Sequence, residues 1–159
     1  MFTLQDMGGF FLSVFILLPI VSVIHQLGHV IFAWLFGGNA KFIVGRGKRL
    51  VKIGEIEVNR VYFLDAFCEY KNLKWDNRWT HSIVYLGGVT FNVVPVFILN
   101  TFIHKGIVPP SAIFEQFGYF SIYFAFFALI PIYYGKGHPS DGRALYEIWK
   151  NGKKLDVID

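Results

Sequence analysis

Apolar residues along this chain gather into three long runs, separated by mixed and polar stretches. The first extends roughly from Gly8 to Phe36 and is broken by one polar cluster, His25-Gln26-Leu27-Gly28-His29. The second runs roughly from Ile83 to Ile103, with polar Asn100, Thr101 and His104 around its end, and the third roughly from Phe117 to Tyr134. A membrane-spanning helix needs about 20 mostly apolar residues, so each run predicts a span. Pro95 and Pro131 fall within or at the end of spans, where lipid-embedded helices tolerate them.

Between the first two runs the pattern changes. Lys41-Phe42-Ile43-Val44, Leu50-Val51-Lys52-Ile53 and Glu55-Ile56-Glu57-Val58-Asn59-Arg60-Val61 are rich in β-branched residues and nearly alternate, which predicts short strands joined by glycine turns. Gly45-Arg46-Gly47 reads as a hairpin turn. A phosphate loop would need a third glycine and a following helix. The predicted fold class is an α-helical integral membrane protein of one domain, 1–159, with about three transmembrane helices and a small β-strand region, about 40–68, between the first and second. A tail, 135–159, follows the third.

Composition supports this class. Of 159 residues, 54% are hydrophobic and 16% charged, against about 25% charged in a typical soluble domain. The single cysteine, Cys68, excludes an intrachain disulfide and a Cys-based zinc site. Met1 to Asp6 carries no basic residue, so a cleavable signal peptide is not expected. The net charge of +4 is unevenly spread. Nine cations, Lys41 to Arg78, lie between spans one and two, and Lys136, Arg143, Lys150, Lys153 and Lys154 lie in the tail. The positive-inside rule then puts the N-terminus outside, with the strand region and C-terminus cytoplasmic. The expected location is a bacterial plasma membrane. Trp75, Trp79, His81 and Tyr85 are expected at the interface around span two. Leu145, Ile148 and Trp149 give the tail an apolar face that could lie on the inner leaflet.

The candidate chemistry sits inside span one. Ionisable side chains in lipid are costly and mark functional sites, and His25 and His29 share one helix face at the spacing that lets two imidazoles reach one metal ion. In the zinc-hydrolase pattern H-E-x-x-H the second position is a glutamate acting as general base; here it is Gln26. Two histidines leave a catalytic zinc site one protein ligand short. Asp141, in His138-Pro139-Ser140-Asp141-Gly142-Arg143, follows span three on the same predicted side. Asp141 also fits an Asp-Gly turn or a helix cap, and His138 is a rival ligand.

Four segments in order resemble the site-2-type intramembrane zinc metalloproteases. These are His25-Gln26-Leu27-Gly28-His29, Phe42 to Leu50, Gly88-Val89-Thr90-Phe91-Asn92, and Leu129-Ile130-Pro131 with Ser140-Asp141-Gly142. The resemblance covers nearly the whole chain. It implies zinc held by His25, His29 and Asp141, Asn92 contacting substrate or the developing oxyanion, and hydrolysis of a peptide bond in a membrane-anchored protein or peptide. Four departures stand out: Gln26 in place of the base, Val89 in place of a proline, Ala128 in place of an asparagine, and a Pro131–Asp141 interval longer than in many members. An amide cannot take a proton at neutral pH, and a general base contributes about 10²–10⁴ in rate, so the chain as written is expected to cleave very poorly. Glutamine fits either a substitution in an active protease or the native residue of a pseudoprotease that binds zinc or a peptide as a regulatory membrane protein. A transporter using the histidines for protons or metal would need polar residues on several spans, and span three offers Ser121 and tyrosines. No nucleic-acid partner is expected; self-association is, because three spans enclose a wet site thinly.

Overall fold

The computed structural model describes residues 6–134 and 138–158; the signal-peptide reading of the first residues and the position of Lys136 lie outside them. The chain runs through α1 (Asp6–Leu12), a π-helical turn (Ser13–Leu17) and α2 (Leu18–Leu35), then β1 (Asn39–Ile53), β2 (Ile56–Lys71), α3 (Arg78–His104), α4 (Ala112–Leu129), α5 (Asp141–Tyr146), a second π-helical turn (Glu147–Asn151) and β3 (Val157–Ile158).

Among the described residues, three helical stretches are long and apolar enough to cross a membrane: Met7–Leu35, Arg78–His104 and Ala112–Leu129. Two span boundaries differ from the sequence reading. The second span begins at Arg78 rather than near Ile83, because the Asn77 side chain caps the helix by accepting from the Thr80 amide at 2.9 Å. The third was expected at 117–134 and lies at Ala112–Leu129. Its end is dictated by Pro131, which lacks an N–H and turns the preceding residue, Ile130, out of helical geometry. At 18 residues α4 is about 27 Å long, just short of a typical hydrocarbon core.

The strand region is a single long antiparallel hairpin, Asn39 pairing with Lys71 at one end and Ile53 with Ile56 at the other. The expected glycine turn at Gly45-Arg46-Gly47 is not where the chain reverses. That happens at Gly54-Glu55, with Gly54 at φ +58°. Gly45 and Gly47 lie inside β1 with φ +80° and +94°, and the register breaks around them. Both glycines therefore kink a strand. Short β3 joins the far side of β2, giving the order β1-β2-β3.

The core lies where the base of the hairpin meets the helices. Ala40, Phe42 and Val44 alternate into it from β1, and Ala66, Cys68 and Tyr70 from β2. They meet Val30 and Ala33 of α2, Val84 and Tyr85 of α3, and Ala144 and Ile148 near the C-terminus. Two expectations fail here. Tyr85 is fully buried and donates to the Leu155 carbonyl at 3.0 Å rather than sitting in an aromatic belt. Ile148 is equally buried, and Trp149 Nε1 donates to Ser82 Oγ at 3.0 Å, so the tail's apolar face packs on α3.

Helices α2 and α3 cross through glycines. A Cβ on Gly28 would collide with the Gly87 carbonyl, and one on Gly87 would lie 2.7 Å from the Gly28 oxygen. Small residues are what allow helix backbones to approach this closely in a membrane. The contact brings the next residue, Gly88, against both imidazoles of α2.

Candidate metal centre

His25, Gln26 and His29 are all buried on the inner face of α2. Asp141 reaches them through a tightly pinned turn after α4. Ser140 Oγ donates to the Ile130 carbonyl at 2.6 Å and accepts from the Arg143 amide at 3.1 Å, so one hydroxyl ties the end of α4 to the start of α5. Gly142 completes the approach, since a Cβ there would run into the Leu129 carbonyl. Ser140 is the cap of α5, and Asp141, the first helical residue, is left to point inward with no exposure.

Asp141 Oδ2 lies 3.2 Å from His25 Nε2, and Oδ1 lies 3.3 Å from His29 Nε2. The three ligand atoms fall within 4.8 Å of one another, and the group could hold a metal ion. His29 Nδ1 lies 2.8 Å from the Val84 carbonyl, an acceptor only, so its proton sits on Nδ1. His29 Nε2 is then a lone pair facing a carboxylate oxygen. His29 Nε2, Asp141 Oδ1 and Asp141 Oδ2 are buried without a hydrogen-bond partner. Buried acceptors left without donors are costly, and a cation between them would satisfy all three. Imidazole fixed by a carbonyl on its far nitrogen is the usual support for a metal-bound histidine. Burial pushes the Asp141 carboxyl up to about 7, opposed by the His29 ring.

Asn92, on α3, is fully buried with its amide nitrogen 3.2 Å from His25 Nδ1, and its Oδ1 has no partner. Turning the amide over would place that oxygen to accept the Nδ1 proton, giving His25 the same tautomer as His29. The structure thus puts Asn92 beside a candidate ligand, near the site as the resemblance implied. His138 does not join the group; its ring packs 5.2 Å from that of Phe67. Cys68 also stays outside, with burial pushing its thiol up to about 12.

Gln26 faces a cavity of about 370 Å³ lined also by Ser22, His25, Arg46, Tyr123 and Ala128. Its Nε2 donates to the Ala66 carbonyl of β2 at 2.8 Å, and its Oε1 has no partner. A glutamate in the same rotamer would set an oxygen against that carbonyl, so this contact is specific to the amide.

Two contacts at the centre, those of Gly88 and the Val84 carbonyl, have no role in the sequence reading, and one residue, His81, lies elsewhere than expected. Gly88 admits the two rings, and a glycine pair in mid-helix four residues before Asn92 was its signal. The Val84 carbonyl has no side-chain signature. His81, expected at the interface, is buried, with Nδ1 2.7 Å from the Tyr70 hydroxyl and Nε2 2.7 Å from Asp76.

Apolar spans around a buried polar centre, with a strand hairpin on one side, define a membrane protein. The chain is 42% identical over 157 residues to the uncharacterized membrane protein YwmF of Bacillus subtilis (strain 168), covering 99% of each chain, and it belongs to the family of that protein. No protein-family model and no solved structure matches it.

Proposed function

We propose that this chain is a zinc-binding intramembrane peptidase of the site-2 type, held nearly inactive as written by Gln26. One observation carries the reading: two imidazoles and a carboxylate are buried together, and His29 Nε2 and both Asp141 oxygens are left without a hydrogen-bond partner. Two neutral histidines and one carboxylate make a common catalytic zinc set, which leaves a coordination position open. His25, His29 and Asp141 would hold the ion. When bound, it would supply Lewis-acid polarisation of a carbonyl and acidify water.

The remaining residues have their own tasks. The Val84 carbonyl holds the His29 ring in the ligating tautomer, and Asn92, with its amide turned over, would do the same for His25. Tyr123, Phe124 and Phe127 wall the cavity beside Gln26 and shield it from lipid. Gln26 Oε1 can accept a hydrogen bond from water but removes no proton, so the base step is missing. Its Nε2 instead ties α2 to β2. The cation-rich hairpin supports an orientation with the N-terminus outside and the hairpin and tail cytoplasmic, in a bacterial plasma membrane. Substrates in this reading are membrane-anchored proteins or peptides, unwound locally to enter a cavity of this size, and a second copy of the chain is a further expected partner.

The amide's fit to Ala66 favours one second reading, a pseudoprotease that binds zinc or a peptide without cutting it. Gln26→Glu separates the two. The peptidase reading expects zinc-dependent cleavage of a membrane-anchored test substrate at least about 10²-fold above the chain as written, abolished by adding His25→Ala. A Gln26→Glu chain that binds zinc fully and cuts nothing leaves the pseudoprotease.

A further inference from the structure

The groove between α3 and α4 has a volume of about 660 Å³ and is graded along its length. Toward the α3–α4 connection it is lined by Asn100, Glu115 and the ring of Tyr119; further in, by Val96, Ile122 and Phe126. Successive spans run in opposite directions, so the polar residues share one level. Asn100 lies four residues before the end of α3, about 6 Å, and Glu115 three residues after the start of α4, about 4.5 Å. The polar end therefore sits about one turn inside the span ends, at the depth where headgroups give way to acyl chains.

Glu115 is exposed, and among the described residues it makes no ion pair. Asn100 is exposed beside it in the same groove. Polar and ionisable groups turned toward lipid are costly and mark binding sites. Gly118 keeps the floor open: a Cβ there would meet only Val96 Cγ1, at 3.7 Å. From Phe114 to Phe126 the groove follows α4 for about 18 Å, close to one leaflet of a hydrocarbon core about 30 Å thick.

A groove polar at headgroup depth and apolar below it has the shape of a single lipid. Its charge selects the headgroup. A free carboxylate repels an anionic head and attracts an ammonium. A primary ammonium also carries N–H donors for the Glu115 carboxylate and the Asn100 carbonyl oxygen, and it can lie over the Tyr119 ring. A quaternary ammonium keeps the charge and lacks the donors.

We infer that this groove binds one phosphatidylethanolamine molecule, with its ammonium at Glu115 and Asn100 and an acyl chain along the floor that Gly118 leaves open. Tyr123 lines both this groove and the cavity beside Gln26, so the bound chain rests against the wall of the candidate centre. The inference concerns the lipid alone and stands whether or not the centre cuts peptides.

The test uses the full chain reconstituted in an equimolar mixture of dioleoyl phosphatidylethanolamine, phosphatidylcholine and phosphatidylglycerol. The chain is then extracted into mild detergent, and the lipids it retains are counted by native mass spectrometry. Phosphatidylethanolamine is retained about threefold or more over phosphatidylcholine, the scale of an exposed charge pair. Glu115→Gln removes that preference while the total lipid retained changes little. Gly118→Leu, which fills the floor, lowers retention of all three lipids. Phe97→Leu, exposed on α3 outside the groove, changes nothing. Unchanged helical content checks the fold of each variant, and Glu115→Gln decides the matter alone if Gly118→Leu does not fold. Equal retention of phosphatidylethanolamine and phosphatidylcholine, a preference for phosphatidylglycerol, or a preference that survives Glu115→Gln overturns the inference. So does a lipid-free dimer that Gly118→Leu dissociates, which would assign the groove to a second copy of the chain.

Discussion

Among the described residues, histidines meet a carboxylate at two sites, Asp76 and Asp141, and the geometry separates a proton-sharing contact from a metal-like one. At the membrane edge, His81 Nε2 lies 2.7 Å from Asp76 Oδ1, and its other nitrogen 2.7 Å from the Tyr70 hydroxyl. Both ring nitrogens are satisfied, and Asp76, 61% exposed, also pairs with Lys154 at 2.6 Å. In the interior, the contacts of Asp141 with His25 and His29 are longer, 3.2 and 3.3 Å, and leave both carboxylate oxygens and His29 Nε2 without donors. Hydrogen bonds from Lys154 and His81 pull the Asp76 carboxyl below its ordinary value, while burial drives Asp141 up to about 7. The same two residue types thus make a closed hydrogen-bonded network in one place and an arrangement that could hold a metal ion in the other.

The largest expected effect tests that contrast directly. His29→Ala reduces bound zinc below detection by elemental analysis, while His81→Ala leaves it unchanged; equal loss in both would erase the distinction. Gly88→Ala comes close behind, because the added methyl meets both imidazoles, whereas Gly9→Ala meets nothing within 4 Å and serves as the control. Asn92→Ala, which frees the His25 ring, weakens zinc by about 10–100-fold in a competition titration.

The pH dependences run in opposite directions. Asp141 has its carboxyl raised from 3.8 to about 7. The metal-free fold therefore binds that proton more tightly than the unfolded chain and loses stability as pH rises through this window. Saturating zinc removes the loss, and zinc affinity itself falls as pH drops below about 7. Asp76 is depressed, so its contribution is present above the ordinary carboxylate range and disappears as pH falls through its lowered value. That effect is the smallest, under about 1 kcal/mol for an exposed pair. Asp76→Asn is expected to loosen the Leu155 segment in hydrogen exchange without changing zinc content.

Much of this was legible in order rather than in place. The apolar runs mark the three helical stretches, since length and hydropathy are local properties. The i, i+4 spacing puts His25 and His29 on one face for the same reason. That Asp141 joins the histidines is expected from its side of the membrane and from the resemblance, but the turn that brings it there is not legible, because it depends on Ser140 bonding to Ile130 and on Gly142 clearing Leu129, contacts between residues whose types do not announce them. The hairpin was misread at Gly45 and Gly47 because glycine marks a strand kink as readily as a turn. His81 and Tyr85 looked interfacial by type and position. They are buried because the C-terminal segment returns to cover them, with Leu155 bonded to both Tyr70 and Tyr85. Such a return is a long-range event that no local pattern encodes.

The most direct measurement is the zinc stoichiometry of the purified full chain at neutral pH, beside Asp141→Ala. The account predicts one tightly held ion per chain, lost in the variant while its helical content stays unchanged. A chain that takes up no divalent metal, or an Asp141→Ala variant that keeps its full complement, would contradict it.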